Sequence, residues 1–184
     1  STWLNNCRSA VFNMNKSKVF LLILVCLNFS VLSDIHAEEK SVRPGINDYY
    51  MDPDWQQWVN QFESPGREVY DRRFDIVRAS SVSPGMAVAD IGAGTGFFSL
   101  LFAGTVGPEG KVYAVDITED FVNNIARRAT INGLANVQAI LSTATDAKLE
   151  NGSIDLAFVC DTYHHFEYPG SMLRSIHQAL RPGG

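Results

Sequence analysis

Short apolar runs alternate with amphipathic stretches over residues 83–184. The runs predict four strands, at 87–91, 112–116, 137–141 and 154–160. The stretches between them carry apolar residues at helical spacing and predict helices at 97–105, at 119–132 and after Pro169. Alternating strands and helices are typical of a parallel sheet with crossover helices. The pattern therefore predicts an α/β fold with a doubly wound, mainly parallel sheet flanked by helices.

The region before the sheet is predicted as a linker at 38–53 and a helical part at 54–80. Pro44, Gly45 and Pro53 indicate the linker. Two helix starts are expected, at Asp52-Pro53 and at Ser64-Pro65, because a capping residue precedes proline in each. The expected apolar faces consist of Trp55, Trp58, Val59 and Phe62 in the first helix and Val69, Phe74, Ile76 and Val77 in the second. Aromatic residues at this spacing favour packing onto the sheet.

The N-terminal part carries a targeting pattern. Residues 1–13 show no period and are predicted to be unstructured upstream sequence. Residues 14–37 have the layout of a secretory signal peptide, with a basic start, an apolar run at 19–32 and cleavage after Ala37. The run is shorter than the ~20 apolar residues of a spanning helix. Export to the periplasm or the exterior is therefore predicted, with no membrane span after cleavage, and an anchor at 19–32 is the alternative.

Composition and charge narrow the function classes. A length of 184 residues allows one globular domain. The net charge of −5 and the absence of Lys/Arg runs disfavour a nucleic-acid partner. Of the three cysteines, only Cys160 lies beyond the predicted signal peptide, so no disulfide is expected within the folded part.

The most informative stretch is the glycine-rich turn after the first strand. Residues 88–98 read VADIGAGTGFF, with glycine at 92, 94 and 96. Such a turn permits positive φ and close approach of a ligand, and the following helix directs free N–H groups towards an anionic ligand end. A dinucleotide fingerprint needs a third glycine at position 97, where this chain has Phe97. A nicotinamide-dependent oxidoreductase is therefore the less favoured alternative.

Asp90, the glycine turn and the strand sequence at 112–117, VYAVDI, together resemble class I S-adenosylmethionine-dependent methyltransferases of the small-molecule type. The resemblance covers residues 83–184 and implies a Rossmann-like, seven-stranded sheet in the order 3-2-1-4-5-7-6, of which this chain holds strands 1 to 4. Residues 81–184 are accordingly expected to be a partial methyltransferase domain, truncated at the C-terminus, with the fourth strand as an unpaired edge. Family members often place N-terminal helices across the cofactor pocket, so a lid is the alternative role of Trp55 and Trp58.

The resemblance also implies a cofactor site for S-adenosylmethionine. Its methionyl end is expected at the glycine turn and Asp90, and its ribose at Asp116, whose carboxylate can accept both hydroxyls. Its adenine is expected beside Asp146. The full set of expected cofactor residues is Asp90, Gly92, Ala93, Gly94, Gly96, Asp116, Ile117, Asp146, Ala147 and Asp161.

Methyl transfer needs positioning, desolvation and, for a protonated nucleophile, a base. His164 and His165 are candidate bases after the fourth strand, with Tyr163 as a further candidate; the alternative is that they only shape the loop. No metal quartet accompanies them, so no metal is expected. A small-molecule acceptor is predicted. The other open class is an exported, non-catalytic module that binds a nucleoside or another ligand, because S-adenosylmethionine is scarce outside the cytoplasm.

Overall fold

A computed structural model describes residues 39–51 and 54–184 of the chain. Its centre is a four-stranded sheet made of β1 (Ala87–Ile91), β2 (Lys111–Asp116), β3 (Val137–Leu141) and β4 (Leu156–Val159). The strands lie in the order β3-β2-β1-β4, and every pairing is parallel. The predicted α/β fold and the order of its first four strands are therefore confirmed.

Helices cover both faces of this sheet. Those within the described residues are α1 (Trp55–Phe62), α2 (Glu68–Asp71), α3 (Arg73–Ala79), α4 (Phe97–Val106), α5 (Glu119–Ile131) and α6 (Pro169–Ala179). Val88 and Val112 pack with α4 on one face, and Ile91 packs with α6 on the other. All five residues of β1 are buried, as expected for an inner strand of a parallel sheet with helices on both faces.

The fourth strand is shorter than the predicted 154–160. Asp155 pairs with the start of β1 instead, since its Oδ2 accepts a hydrogen bond from the amide of Ala87 at 2.7 Å. Ile154 forms only an isolated bridge to Leu180. β4 is an edge of the described sheet, and its residues are half-buried or exposed.

The N-terminal helices start at other residues than the sequence patterns suggest. The N-cap of α1 is Asp54, whose Oδ1 accepts hydrogen bonds from the amides of Gln56 (3.0 Å) and Gln57 (3.3 Å). The helix therefore begins two residues later than predicted, and the predicted cap Asp52 lies outside the described residues. The carboxylate of Asp54 reaches the amides two and three residues ahead, as N-caps do.

The second predicted helix is present in part: it begins at Glu68, later than the predicted start at Ser64-Pro65, and it is divided into the short helices α2 and α3. Gly66 has φ +94°, which no right-handed helix accommodates, and its amide donates to the carboxylate of Asp71 at 3.1 Å. Ser64 closes α1 by donating from Oγ to the carbonyl of Asn60. Phe74, predicted to be buried, is 58% exposed, and the guanidinium of Arg73 lies over its ring.

Residues 39–51, predicted to belong to a linker, are docked onto the chain between β4 and α6. The amide of Val42 donates to the carbonyl of Glu167 at 2.8 Å, and Nδ2 of Asn47 donates to the carbonyl of His165 at 3.1 Å. The carboxylate of Glu39 accepts hydrogen bonds from the amides of Gly170 (2.7 Å) and Ser171 (2.6 Å), at the start of α6. Free amides at a helix start are satisfied by such an acceptor.

The predicted signal peptide at 14–37 and the upstream residues 1–13 lie outside the described residues. In the part of the chain that the structure covers, no helix combines the length and the apolar character that crossing a membrane requires.

Candidate functional site

Two adjoining cavities lie at the carboxyl edge of the sheet. The first, of about 120 Å³, opens over the ends of β2 and β3 and is called the β2 cavity here. The second, of about 650 Å³, opens over the ends of β1 and β4 and is called the β4 cavity. The residues that line both are Tyr50, Phe62, Gly92, Gly94, Asp161, Thr162 and His165. Ligands of open α/β sheets bind at this edge, where the strand order changes direction around β1.

The glycine turn between β1 and α4 is shaped by contacts within the protein. Gly92 has φ +71°, and a Cβ at this position would lie 2.1 Å from Cγ2 of Thr162. Gly96 has φ +77°, and its Cβ would lie 2.9 Å from Cγ1 of Ile125. Gly92 and Gly94 line both cavities, whereas Gly96 lines neither. The absence of a side chain at Gly96 therefore serves the packing of α5, and the expected role in binding rests on the other two glycines and Ala93.

Asp116 ties the end of β2 to this turn. Its Oδ2 accepts a hydrogen bond from the amide of Gly94 at 2.8 Å, and its Oδ1 accepts one from the amide of Thr118 at 3.0 Å. The side chain is buried, which raises its pKa, yet it lines the β2 cavity together with the neighbouring Ile117. Each carboxylate oxygen has a second lone pair, so Asp116 can accept further hydrogen bonds from a ligand.

Asp90 is buried beside the start of α4 and lines the β4 cavity. Its Oδ2 accepts a hydrogen bond from Oγ of Ser99 at 2.6 Å. Burial raises the pKa of Asp90 to about 6, and the negative charge of Asp116 adds to this shift. The floor of the site therefore holds two buried carboxylates at the ends of adjacent strands.

The loop after β3 places its predicted residues away from the cavities. Asp146 pairs with Lys148 at 2.9 Å, which lowers the pKa of Asp146, and Ala147 is fully buried in the core beside α6. Neither lines the β2 cavity, whose wall on this side consists of Ser142, Thr143 and Ala144. These three directly follow the strand, so counting from the predicted strand end would have found them. The expected adenine contact of Asp146 stays a prediction.

The loop after β4 contributes Asp161, Thr162 and the two histidines. Asp161 has φ +53° and lines both cavities. His164 lines the β4 cavity, His165 lines both, and Tyr163 is 57% exposed and lines neither. Nδ1 of His165 is buried without a hydrogen-bond partner among the described residues. Burial lowers the pKa of His165, and the charges of His164 and Arg43 lower it further, so the imidazole is neutral at pH 7.

Residues 39–51 and 54–67, called the roof here, form one side of the two cavities. The roof residues that line them are Asn47, Tyr50, Gln61, Phe62, Gly66 and Arg67. Trp58 is 3% exposed and packs among Tyr50, Phe62 and Phe121. Trp58 therefore packs in the core, and the residue of α1 that lines both cavities is Phe62, whereas Trp55 and Trp58, the residues considered for a lid, line neither. The ring of Phe62 lies 3.4 Å from the position of a Cβ on Gly94.

Two ion pairs fasten the roof to the rest of the domain. Arg128 of α5 makes a two-pronged contact with Glu63, at 2.6 and 3.0 Å, and also donates to the carbonyl of Thr95 in the glycine turn at 2.8 Å. Arg67 pairs with Asp161 at 2.6 Å. The sequence patterns did not single out Asn47, Tyr50 or Arg67 as site residues. They line the cavities beside residues that are distant in sequence, so no motif with a fixed spacing marks them.

No three His, Cys, Asp or Glu side chains are grouped to hold a metal ion within residues 39–51 and 54–184. The described side chains that could bind or act on a ligand here include carboxylates, imidazoles, the guanidinium of Arg67 and aromatic rings.

Comparisons with known proteins agree with this geometry. A family model described as "Methyltransferase domain" matches residues 82–184. A demethylmenaquinone methyltransferase from Geobacillus stearothermophilus is 29% identical over 112 residues, which are 61% of this chain and 48% of the relative. A protein from Ectopseudomonas mendocina, named ubiquinone/menaquinone biosynthesis C-methyltransferase UbiE, is 32% identical over 127 residues, 68% of this chain and 49% of that relative.

Among solved structures, a SAM-dependent methyltransferase from Aquifex aeolicus superposes with a TM-score of 0.63 at 28% identity, covering 71% of this chain and 69% of that one. The chain spans about half the length of the curated relatives it matches.

Proposed function

The chain belongs to the methyltransferase-domain family, and on this premise we propose that its two cavities bind S-adenosylmethionine and a small-molecule methyl acceptor. The observation that carries the proposal is Asp116, a buried carboxylate at the end of β2 that holds Gly94 of the glycine turn and lines the β2 cavity. The likeness to a solved SAM-dependent methyltransferase supports the choice of cofactor.

The charges around the cavities fit this cofactor. The acidic side chains that line them are Asp90, Asp116, Asp161 and Glu167, and among the described residues Arg67 is the only lysine or arginine that does so. S-adenosylmethionine carries a sulfonium, an ammonium and a single carboxylate, so its net charge is positive. An acidic cavity with one guanidinium matches that balance by Coulomb attraction.

In this proposal each wall has a separate task. Asp116 accepts the ribose hydroxyls with its remaining lone pairs, and Ser142, Thr143 and Ala144 border the adenine. The bound cofactor supplies a methyl group activated by the sulfonium. Phe62 and Tyr50 exclude water from above, which strengthens every electrostatic contact below them.

The β4 cavity is the proposed acceptor site. Apolar side chains form much of its wall, namely Phe62, Val69, Phe97 and Phe98. The names of the two curated relatives refer to quinone compounds. Both observations support a small aromatic, largely apolar acceptor.

His165 is the proposed base for the proton that the acceptor releases. It lines both cavities, and burial lowers the pKa of its imidazole, which favours the neutral ring that can take up a proton. Replacing it with glutamine should lower kcat while cofactor affinity changes little. Equal losses in kcat and affinity would indicate a structural role instead.

Isothermal titration calorimetry with S-adenosylhomocysteine tests the cofactor site. We expect the wild type to bind and Asp116→Asn to bind about ten- to hundredfold more weakly, because a charge-assisted hydrogen bond is lost. Asp120→Asn, an exposed carboxylate that lines neither cavity, is the matched control. Absence of heat and of a thermal shift at millimolar ligand would refute the proposal, and binding without methyl transfer to any quinol-like acceptor would favour the non-catalytic module.

We also propose that residues 14–37 direct export. The support is the basic, apolar and small-residue layout of this stretch. A fusion of residues 14–40 to a reporter that is active only outside the cytoplasm should be exported and shortened near Ala37. A reporter that stays inside uncut would contradict export and remove the objection that the cofactor is scarce outside.

A further inference from the structure

The imidazole of His165, the proposed base, lies where the two cavities meet. His165 ends the single 3-10 turn Tyr163–His165, in which its amide donates to the carbonyl of Thr162 at 2.8 Å. No described residue forms a hydrogen bond with Nδ1 of its ring. The turn therefore fixes the backbone of His165, and the orientation of the ring depends on packing against other parts of the chain.

Residues 39–51 hold the loop that carries His165. Nδ2 of Asn47 donates to the carbonyl of His165 at 3.1 Å, within the ordinary range of a hydrogen bond. Glu167 accepts from the amide of Val42 at 2.8 Å through its carbonyl, and from Oγ of Ser41 at 3.0 Å through its carboxylate. His165 and the residue two positions further on are thus bonded to the same N-terminal segment, which restricts the backbone beneath the imidazole.

Tyr50 of this segment braces the ring of His165. The centroids of the two rings are 5.1 Å apart and their planes meet at 89°, the edge-to-face arrangement that aromatic pairs prefer. The ring of Tyr50 also packs on Trp58 at 4.8 Å, and Trp58 is buried in the core. Tyr50 therefore connects the imidazole to a side chain that cannot move without disturbing the core.

Tyr50 also shields the imidazole from water. Burial is the largest cause that lowers the pKa of His165, and the charges of His164, whose ring centroid lies 4.2 Å away, and of Arg43 lower it further. Burial raises the pKa of the Tyr50 phenol, so Tyr50 brings no charge at pH 7. The other charged or titratable side chains that line a cavity with His165 are Arg67, Asp90, Asp116, Cys160, Asp161 and Glu167. A neutral substitution of Tyr50 therefore alters the hydration of the imidazole and leaves these charged groups in the chain.

We propose that Tyr50, assisted by Asn47, is the positioning residue of His165, holding its imidazole at the junction of the two cavities and keeping water from it. The inference rests on the proposed function, in which His165 is the base. Tyr50 and Asn47 act through His165 and take no proton themselves. An imidazole that keeps one orientation accepts a proton at a fixed place, and such positioning is a large part of what a catalytic base contributes.

An NMR titration of the histidine rings in the whole chain tests this without any acceptor. Tyr50→Leu should move the titration midpoint of His165 to higher pH, because water reaches the imidazole and the penalty for charging it falls. Tyr50→Phe keeps the ring and should retain the wild-type midpoint. Asn47→Ala releases the carbonyl of His165 and should give a smaller movement in the same direction. The signal of His165 is identified by its absence from His165→Gln.

Tyr49→Leu is the matched control. The ring of Tyr49 also contacts Trp58, but Tyr49 is 69% exposed and lines neither cavity. The midpoint of His165 should therefore stay unchanged in this variant.

An unchanged midpoint in Tyr50→Leu would overturn the inference, and so would an equal movement in Tyr50→Phe or in Tyr49→Leu. An equal movement of His177, which lines neither cavity, would show a general change in structure and would also overturn it. If Tyr50→Leu does not fold, Asn47→Ala decides, and a wild-type midpoint there overturns the inference. Wild type that binds no S-adenosylhomocysteine in calorimetry refutes the proposed function whatever the titration shows, so the two failures are distinguishable.

Discussion

The floor and the roof of the cavities are built by different means. The floor, at the ends of β1 and β2, consists of buried residues whose positions follow from backbone pairing and from a glycine turn that admits no side chain at Gly92. The roof, residues 39–51 and 54–67, is attached by separate contacts, mostly of side chains, such as Arg128 with Glu63 and Arg67 with Asp161. Substitutions in the floor should therefore destabilise the whole domain, whereas substitutions in the roof should first weaken ligand binding.

The largest effect is expected for Gly92→Ala in the floor. The new Cβ would meet Thr162 at 2.1 Å in a left-handed conformation, so we expect a loss of about 4 kcal/mol of stability together with loss of ligand binding. Gly133→Ala is the control, because Gly133 has a similar φ of +68° with no atom within 4 Å of the added Cβ. Denaturant unfolding measures both. Equal losses would show that backbone strain alone, and not the contact with Thr162, sets the cost.

The next effect is the pH dependence caused by Asp90. Its pKa is about 6 in the folded protein, above its ordinary value, so the folded state binds more protons between pH 4 and 6. Stability should therefore fall as pH rises through this range, by up to about 3 kcal/mol, and then level off. Asp90→Asn should remove this slope from the unfolding free energy. If the unfolding free energy of the variant depended on pH as that of the wild type does, Asp90 would not be the group that titrates in this range.

A smaller effect is expected for Arg128→Gln, which detaches the roof. Arg128 is half-buried and joins Glu63 to the glycine turn, so the loss should be about 1 to 2 kcal/mol. Hydrogen exchange should rise in residues 54–63 and not in the strands, with a fall in ligand affinity. Arg127→Gln on the same helix should have no such effect, because the side chain of Arg127 forms a hydrogen bond with Asn124 and with no other described residue. If hydrogen exchange rose as much in the strands as in residues 54–63, Arg128 would stabilise the whole domain and not the roof in particular.

The smallest effect is expected for Glu39→Gln. The change keeps one oxygen acceptor for the amides of Gly170 and Ser171, replaces the other with an NH2 donor and removes the charge that favours a helix start, so the melting temperature should fall, but less than in Arg128→Gln. The pKa of Glu39 is lowered chiefly by its hydrogen bonds at Ser171, so the difference between variant and wild type should shrink as the pH falls below the ordinary carboxyl pKa and vanish below the lowered pKa of the folded state. A difference that persists at low pH would show that charge is not its cause.

The same contrast explains how much the sequence could predict. The strands β1 and β3 were predicted residue for residue, because turn signals bound the apolar run in both the inner strand β1 and the edge strand β3. The glycine turn and Asp116 were found for a related reason, since parallel strands bring consecutive strand ends to one edge.

Roof residues were missed because their partners are remote in sequence. Arg67 meets Asp161 across 94 positions, and Asn47 meets the carbonyl of His165 across 118. Asp146 illustrates a different limit, since Lys148 two residues away takes up its carboxylate. A spacing pattern identifies a carboxylate near a strand end but not what it is bonded to.

The contact of Glu39 with the start of α6 has a consequence for the order of folding. It joins residues 131 positions apart, so the loop it closes has a large entropic cost and forms late. During synthesis Glu39 leaves the ribosome well before the amides it binds have been made. Residues 39–51 can therefore dock only after nearly the whole described domain has been synthesised. We expect their side of the cavities to form after the strands have paired.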